Sequence, residues 1–413
     1  MELDIMGLIG AFSYALDCVE AELVQVTTGH SKRVAYMSVR MAIQMGIQGN
    51  ELQALAACAL LHDNALTQYI RAEYANNLMP GEIPDITSKQ LGVHCIYGEK
   101  NLENFPFITN VKNVILYHHE NADGTGPFGK KWDEVPLFAR IIHLCDILDA
   151  FCKTKQFDEQ KWNQAKGYVL KNKITKFDAE CVEAFLNVFS EEEFIRLGDS
   201  NLEARLWELV PRQKHFYNVQ DCKNLADLFA TIVDYKSKFT AAHSRGVAAG
   251  AARLAEHMGF DALTVQKMYL AGALHDIGKM AIENEILEKP GRLTKEEFSS
   301  MKNHAAFTYL ILSDVEDFEE IRDWAAFHHE RLDGSGYPFG KKADELNTQE
   351  RMMACVDIYQ ALTEDRPYKK GMTHEEACAI MQDMVEKGWI DGAITKEIRD
   401  MNTSQEHVKC VLL

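Results

Sequence analysis

Apolar positions along the chain recur three and four residues apart, and the two-residue alternation of strands is nearly absent. Val265, Met268, Ala271 or Gly272, and His275 follow this spacing, which predicts a helix whose inner face carries the His275-Asp276 pair toward the interior. Thr294-Lys295-Glu296-Glu297 has the form of a capping box, opening a helix that contains His304. The runs Asp123-Gly124-Thr125-Gly126 and Asp333-Gly334-Ser335-Gly336 predict loops. The class expected is all-α.

The pattern occurs twice. His30-Ser31-Lys32-Arg33-Val34-Ala35 is matched by His243-Ser244-Arg245-Gly246-Val247-Ala248, and each runs through small residues to Met-Gly (Met45-Gly46, Met258-Gly259). Ala59-Leu60-Leu61-His62-Asp63 is matched by Gly272-Ala273-Leu274-His275-Asp276 at the same offset of 213 residues. Single histidines follow at 94 and 304. The longest match sets His118-His119-Glu120-Asn121-Ala122-Asp123-Gly124-Thr125-Gly126 against His328-His329-Glu330-Arg331-Leu332-Asp333-Gly334-Ser335-Gly336, before Asp146 and Asp357 in apolar helical segments. A lone buried histidine is ordinarily a hydrogen-bonded core residue. Core packing does not explain one order of His, His-Asp, His, His-His and Asp, spaced 32, 32, 24, 28 in one half and 32, 29, 24, 29 in the other. Helices that each turn a ligand inward are how bundles build a polynuclear metal centre.

Composition narrows the function. Lys plus Arg number 44 against 62 Asp plus Glu, a formal net charge of -18, which argues against a duplex DNA-binding face. The first twelve residues carry Glu2 and Asp4 where a secretory signal needs positive charge, and no apolar run has the length to span a bilayer. Ten scattered cysteines without a CxxC pair read as free thiols, so a soluble cytoplasmic protein is expected. Cys410-Val411-Leu412-Leu413 has the form of a prenylation box, but no polybasic run precedes it, and it reads as an apolar tail.

Imidazoles with a few carboxylates and no thiolate suit iron, manganese, zinc, cobalt or nickel. Six or seven ligands exceed the needs of one ion. An Asp beside a His can bridge two ions, and a paired site of this kind acidifies bound water and clamps both oxygens of an in-line phosphoryl displacement. Phosphoester hydrolysis is the chemistry expected. Lys279, Arg366, Lys369 and Lys370 are cations that can meet the nonbridging phosphate oxygens.

The second half resembles an HD-GYP domain over about residues 220 to 390. The residues that carry the resemblance are His275-Asp276, Ile277-Gly278-Lys279, the run from His328 to Tyr337-Pro338, and Asp357-Ile358-Tyr359-Gln360-Ala361-Leu362-Thr363 leading to Arg366-Pro367-Tyr368. That family comprises all-helical bacterial phosphodiesterases that open cyclic dinucleotides, chiefly cyclic di-GMP and in some members 3',3'-cGAMP, with two or three ions. The resemblance implies that His243, His275, Asp276 and Asp357 hold one ion, and that Asp276 bridges to a second held by His304, His328 and His329. It further implies that Lys279 meets the scissile phosphate and that Arg366, Tyr368 and Lys369 bind substrate. Trinuclear members carry a Glu one helical turn before the first histidine, where this chain has Phe239, so two divalent ions, iron, manganese or similar, are expected.

The first half resembles the broader HD superfamily and keeps His30, His62, Asp63, His94, His118, His119 and Asp146. Leu66 replaces the lysine, Gly126-Pro127 lacks the tyrosine, and Lys153-Thr154-Lys155-Gln156 replaces Arg-Pro-Tyr. The expectation is two tandem HD-superfamily bundles. Residues 1–210 form a divergent domain and 211–413 the catalytic one, joined by a short polar segment near Pro211 that favours close packing of the halves. Tandem members with a divergent first copy include 3',3'-cGAMP hydrolases, which ranks that substrate above cyclic di-GMP, with a linear 5'-phosphorylated dinucleotide as product. The intact first cage also leaves room for an added phosphomonoesterase activity. Two other readings stand beside this one: a single-metal nucleotide phosphohydrolase of the wider superfamily, and a sensor that binds cyclic dinucleotide without turnover. The extra histidines 304, 328 and 329 argue against the former, and complete ligand sets against the latter.

Overall fold

The computed structural model describes residues 1–23, 29–74, 88–152, 157–210, 212–236, 243–289, 291–365 and 370–411. Pro211, Phe239, Arg366, Tyr368, Lys369 and the side chain of Cys410 lie outside the described residues. Helices dominate throughout. The one sheet among the described residues is a two-stranded ribbon pairing Glu2–Leu3 with His215–Phe216. No helix among them is long and apolar enough to cross a membrane.

The chain divides into two compact units, residues 4–215 and residues 216–413 with 1–3. This moves the expected boundary from 210/211, and it gives Met1–Leu3 to the second unit. The cause is backbone pairing: the Met1 ammonium donates to the Tyr217 carbonyl at 2.7 Å, and the Tyr217 N–H to the Met1 carbonyl at 2.9 Å.

In the second unit the helix His243–His257 is central, packed on Ala262–Leu274 and Thr348–Thr363. Glycine permits the closest approach, since a Cβ on Gly272 would lie 2.6 Å from the Ala248 Cα. Met268, Leu270, Ala271 and Leu274 are fully buried, each large side chain contributing about 1.5–3 kcal/mol. Three of the helices that carry site residues have capped starts. Asp261 accepts from the Thr264 N–H ahead of His275, and full capping boxes at Thr294/Glu297 and Asn347/Glu350 open the helices bearing His304 and Asp357. The first unit repeats the plan, with His30–Gln44 packed on Gly49–Leu60 and Leu137–Cys152.

One local expectation changes. The His275-Asp276 pair ends its helix instead of projecting from its body, because the helix stops at Leu274 and the chain turns into a 3-10 segment, Ile277–Ala281.

Candidate metal centre

In the second unit all seven expected ligands converge. His243 opens its helix with Nε2 3.0 Å from Asp357 Oδ1, while its Nδ1 is 3.0 Å from Glu364 Oε2. His275 Nε2 lies 3.2 Å from Asp276 Oδ2 and 3.8 Å from Asp357 Oδ1. The other Asp276 oxygen, Oδ1, lies 3.5 Å from His304 Nε2 and 4.0 Å from His328 Nε2. His329 Nδ1 is 3.9 Å from Asp357 Oδ2. One carboxylate thus faces two sets of imidazoles.

Three rings have their tautomer set by the backbone. The Nδ1 atoms of His275, His304 and His328 lie 2.7, 2.7 and 2.6 Å from the carbonyls of Gly272, Met301 and Ala325, three residues earlier in each case. A carbonyl only accepts, so each Nδ1 carries the proton and each Nε2 offers a lone pair. His304 Nε2 and His328 Nε2 nevertheless face each other at 3.4 Å with both rings buried. His275 Nε2 and Asp276 Oδ1 are buried without a hydrogen-bond partner. Lone pairs gathered without protons between them are what a bound cation satisfies, so the residues fit the metal ions their types suggested.

At His304, His329 and Asp276 the electrostatics agree with that fit. Burial pushes His304 down to about 3 and His329 down to about 4, so both rings are neutral donors at neutral pH. Burial alone would raise the Asp276 carboxyl, but His275 and Lys279 outweigh it and hold the group well below the usual carboxylate range. At His243 burial works downward, yet hydrogen bonds to Asp357 and Glu364 lift the ring to about 10.

The surrounding shell adds residues that sequence reasoning missed. Glu364 anchors His243, and the matching position of the repeat is Lys153. Glu330 is buried and ties down the following loop, Oε1 accepting from the N–H groups of Phe339 and Gly340 and Oε2 from that of Lys341. Its repetition as Glu120 was the available signal. Thr308 Oγ1 donates to the His275 carbonyl at 2.9 Å and accepts from the Gly278 N–H at 3.1 Å, fixing the turn after the doublet. Lys279 Nζ lies 2.5 Å from Asp276 Oδ2. A cavity of about 320 Å³ opens beside the centre, walled by His328, His329, Tyr337, Phe298, Lys302 and Arg331, a size within the usual range of ligand sites. Lys370 is exposed.

The first unit assembles its seven ligands in the same way. His62 Nε2 lies 3.4 Å from Asp63 Oδ2, His94 Nε2 lies 3.2 Å from Asp63 Oδ1, and the two Nε2 atoms of His94 and His118 are 3.4 Å apart. His30 Nε2 and His119 Nδ1 reach Asp146 at 3.4 and 3.6 Å. Around this centre the environment differs. Leu66, in the lysine's position, is buried in an apolar cluster with Tyr69 and Ile70. Where Lys302 stands against Tyr337 in the second unit, Pro127 packs on Gly92, whose Cβ would lie 2.9 Å from the proline Cβ.

Known proteins are similar to this chain. The family model described as the HD domain matches residues 19–181 and again 227–394. The chain is similar to the 3'3'-cGAMP-specific phosphodiesterase 1 of Vibrio cholerae, 31% identical over 92% of this chain and 88% of that one. The 3'3'-cGAMP-specific phosphodiesterase 3 of the same organism is 31% identical over 72% of this chain and 65% of its own. A cyclic di-GMP phosphodiesterase of Pseudomonas aeruginosa is 41% identical over 35% of each chain. The solved structure of a cyclic GMP-AMP specific phosphodiesterase of V. cholerae matches 98% of both chains with a TM-score of 0.65 at 23% identity, a likeness of fold.

Proposed function

The chain belongs to the HD domain family, whose model it matches twice, and from that premise we propose that its second half opens a 3',3'-cyclic dinucleotide, with 3',3'-cGAMP ahead of cyclic di-GMP. The protein is a metal-dependent phosphodiesterase. The observation that carries the reading is the Asp276 carboxylate, one oxygen on His275 and the other on His304, beside a cavity lined by His328 and His329. His243, His275, Asp276 and Asp357 would hold one divalent ion, and His304, His328 and His329 a second that shares Asp276. Ions bound there supply Lewis acidity to the phosphoryl group and make water acidic enough to attack.

The chain's own groups do the rest. Lys279 presents its ammonium beside Asp276, where it meets a nonbridging phosphate oxygen and offsets transition-state charge. Lys302 and Arg331 place two more cations on the cavity wall for a substrate that carries two phosphates. Tyr337, whose ring lies 4.7 Å from that of His329, offers a face for a base at the edge of the centre. Water adds to phosphorus, the P–O3' bond breaks, and the 3' oxygen takes a proton, leaving a linear dinucleotide with a 5'-phosphate.

Metal-loaded protein incubated with 3',3'-cGAMP, cyclic di-GMP and simple nucleoside monophosphates tests the proposal by chromatographic identification of products. A linear dinucleotide from 3',3'-cGAMP is expected. Turnover of monophosphates alone would favour the nucleotide phosphohydrolase reading, and binding of a cyclic dinucleotide without turnover the sensor.

A further inference from the structure

The two cages differ in one donor atom. Cys95 follows His94 where Ala305 follows His304. The Cys95 sulfur is buried, donates to the Leu91 carbonyl at 3.4 Å, and lies 3.7 Å from His94 Nε2 and 3.8 Å from His118 Nδ1, the nitrogen that bonds the Ile115 carbonyl. His94, Cys95, His118 and His119 each offer a ligand atom, and these atoms all lie within 4.8 Å of one another. Two further buried atoms of the same cage, His62 Nε2 and Asp63 Oδ1, have no hydrogen-bond partner.

Two of these separations are those of one tetrahedral ion. Bonds of about 2.05 Å to nitrogen and 2.3 Å to sulfur set neighbouring nitrogens about 3.3 Å apart and a nitrogen about 3.6 Å from the sulfur. His94 and His118 have their Nε2 atoms 3.4 Å apart, and the sulfur is 3.7 Å from His94 Nε2.

We propose that the first half holds a closed, thiolate-bearing metal site in which Cys95 joins His94, His118 and His119 around one zinc-like ion, and that this ion is structural. Four protein ligands complete a tetrahedral shell and leave no position for the water that hydrolysis needs. Ala305 leaves that position free in the second half. A thiolate among imidazoles selects zinc, iron(II) or cobalt over manganese and magnesium. The sulfur–metal bond forms as the S–H proton passes to solvent, without oxidation or reduction. The surroundings agree, since Leu66 and Pro127 stand where a phosphate-handling site has its lysine and tyrosine. The proposal does not depend on which nucleotide the second half opens.

The test uses the full chain, stripped of metal under reducing conditions and reloaded with cobalt(II). A sulfur-to-cobalt charge-transfer band in the near ultraviolet is expected. Cys95→Ala, which copies Ala305, should abolish it, and Cys58→Ala, at another buried thiol of the same half, should keep it. Cyclic dinucleotide hydrolysis should persist in both variants, which separates failure here from failure of the second-half reading. Circular dichroism checks folding. Should Cys95→Ala misfold, X-ray absorption on the zinc-loaded wild type decides by the presence or absence of a sulfur scatterer, because Cys95 is the only thiol in such a cluster among the described residues. A band that survives in folded Cys95→Ala, or wild type with neither band nor sulfur scatterer, overturns the proposal.

Discussion

At the residue scale the centre rests on how each ring spends its second nitrogen. His275, His304 and His328 give theirs to a carbonyl three residues earlier, a support every helix end supplies. At His243 the second nitrogen faces a side chain instead, Glu364 at 3.0 Å. In the first half Asp149 takes that role for His30 at 2.8 Å. Removing the carboxylate by Glu364→Ala should weaken metal binding about 10–100-fold, the usual effect of losing an outer partner, and competition with a chromophoric chelator measures it. Lys279 acts otherwise. Its ammonium cannot ligate while protonated, so Lys279→Ala should lower kcat by about 100-fold or more with metal content unchanged, as removal of one transition-state donor does. Elemental analysis and kinetics on one preparation check it. Metal lost in step with activity would make the lysine structural.

At the element scale the two halves reach one geometry through exchanged side chains. The turn after the doublet presses on the helix Lys295–Ser313, and a Cβ on Gly278 would lie 2.0 Å from the His304 carbonyl oxygen. Thr308 in turn holds the turn from the helix side. In the first half the small residue has changed sides, with Ala65 on the turn and Gly98 on the helix, where a Cβ would lie 3.8 Å from the Ala65 Cβ. The same exchange occurs between Gly246 with Gln360 and Arg33 with Asp149, close packing in one half and an ion pair in the other. Gly278→Ala should therefore destabilise the second unit by about 1–3 kcal/mol through overpacking, and adding Thr308→Gly should recover part of the loss by freeing the turn. Urea unfolding of the single and double variants checks this coupling. These exchanges explain what could be read from the chain. The ligand order was legible because a ligand must be a His or Asp at a fixed place, and it was written twice. Supporting residues were not, since any carboxylate that reaches His243 Nδ1 will serve, from whatever position on the helix. The end of the doublet's helix was hidden as well: His275 keeps the three-four apolar period, while the residue that marks the turn, Gly278, lies beyond it.

At the scale of the whole molecule the repeat separates two questions that one activity assay would merge. Two units each bury a cage of imidazoles and carboxylates, and buried polar atoms without a partner cost stability until a cation meets them. Both units should therefore gain stability from metal, although only the second is assigned catalysis. His275→Ala with Asp276→Ala removes the bridge of the second cage and should abolish cyclic dinucleotide hydrolysis. His62→Ala with Asp63→Ala should leave most of it. The reverse result would assign activity to the wrong half. Calorimetry adds a readout independent of turnover. Metal at 100 times its dissociation constant contributes about 2.7 kcal/mol, and a unit of this size shifts about 2–4 °C per kcal/mol, so chelation should lower Tm by about 5–11 °C. In the wild type that fall should appear in the unfolding of both units. In the His275/Asp276 variant the second unit should already melt low and respond little to chelator, while the first unit keeps its full response. A first unit whose melting ignores chelator in the wild type, with its histidines intact, would mean that its cage is sustained by hydrogen bonds alone and that metal dependence belongs to the second half.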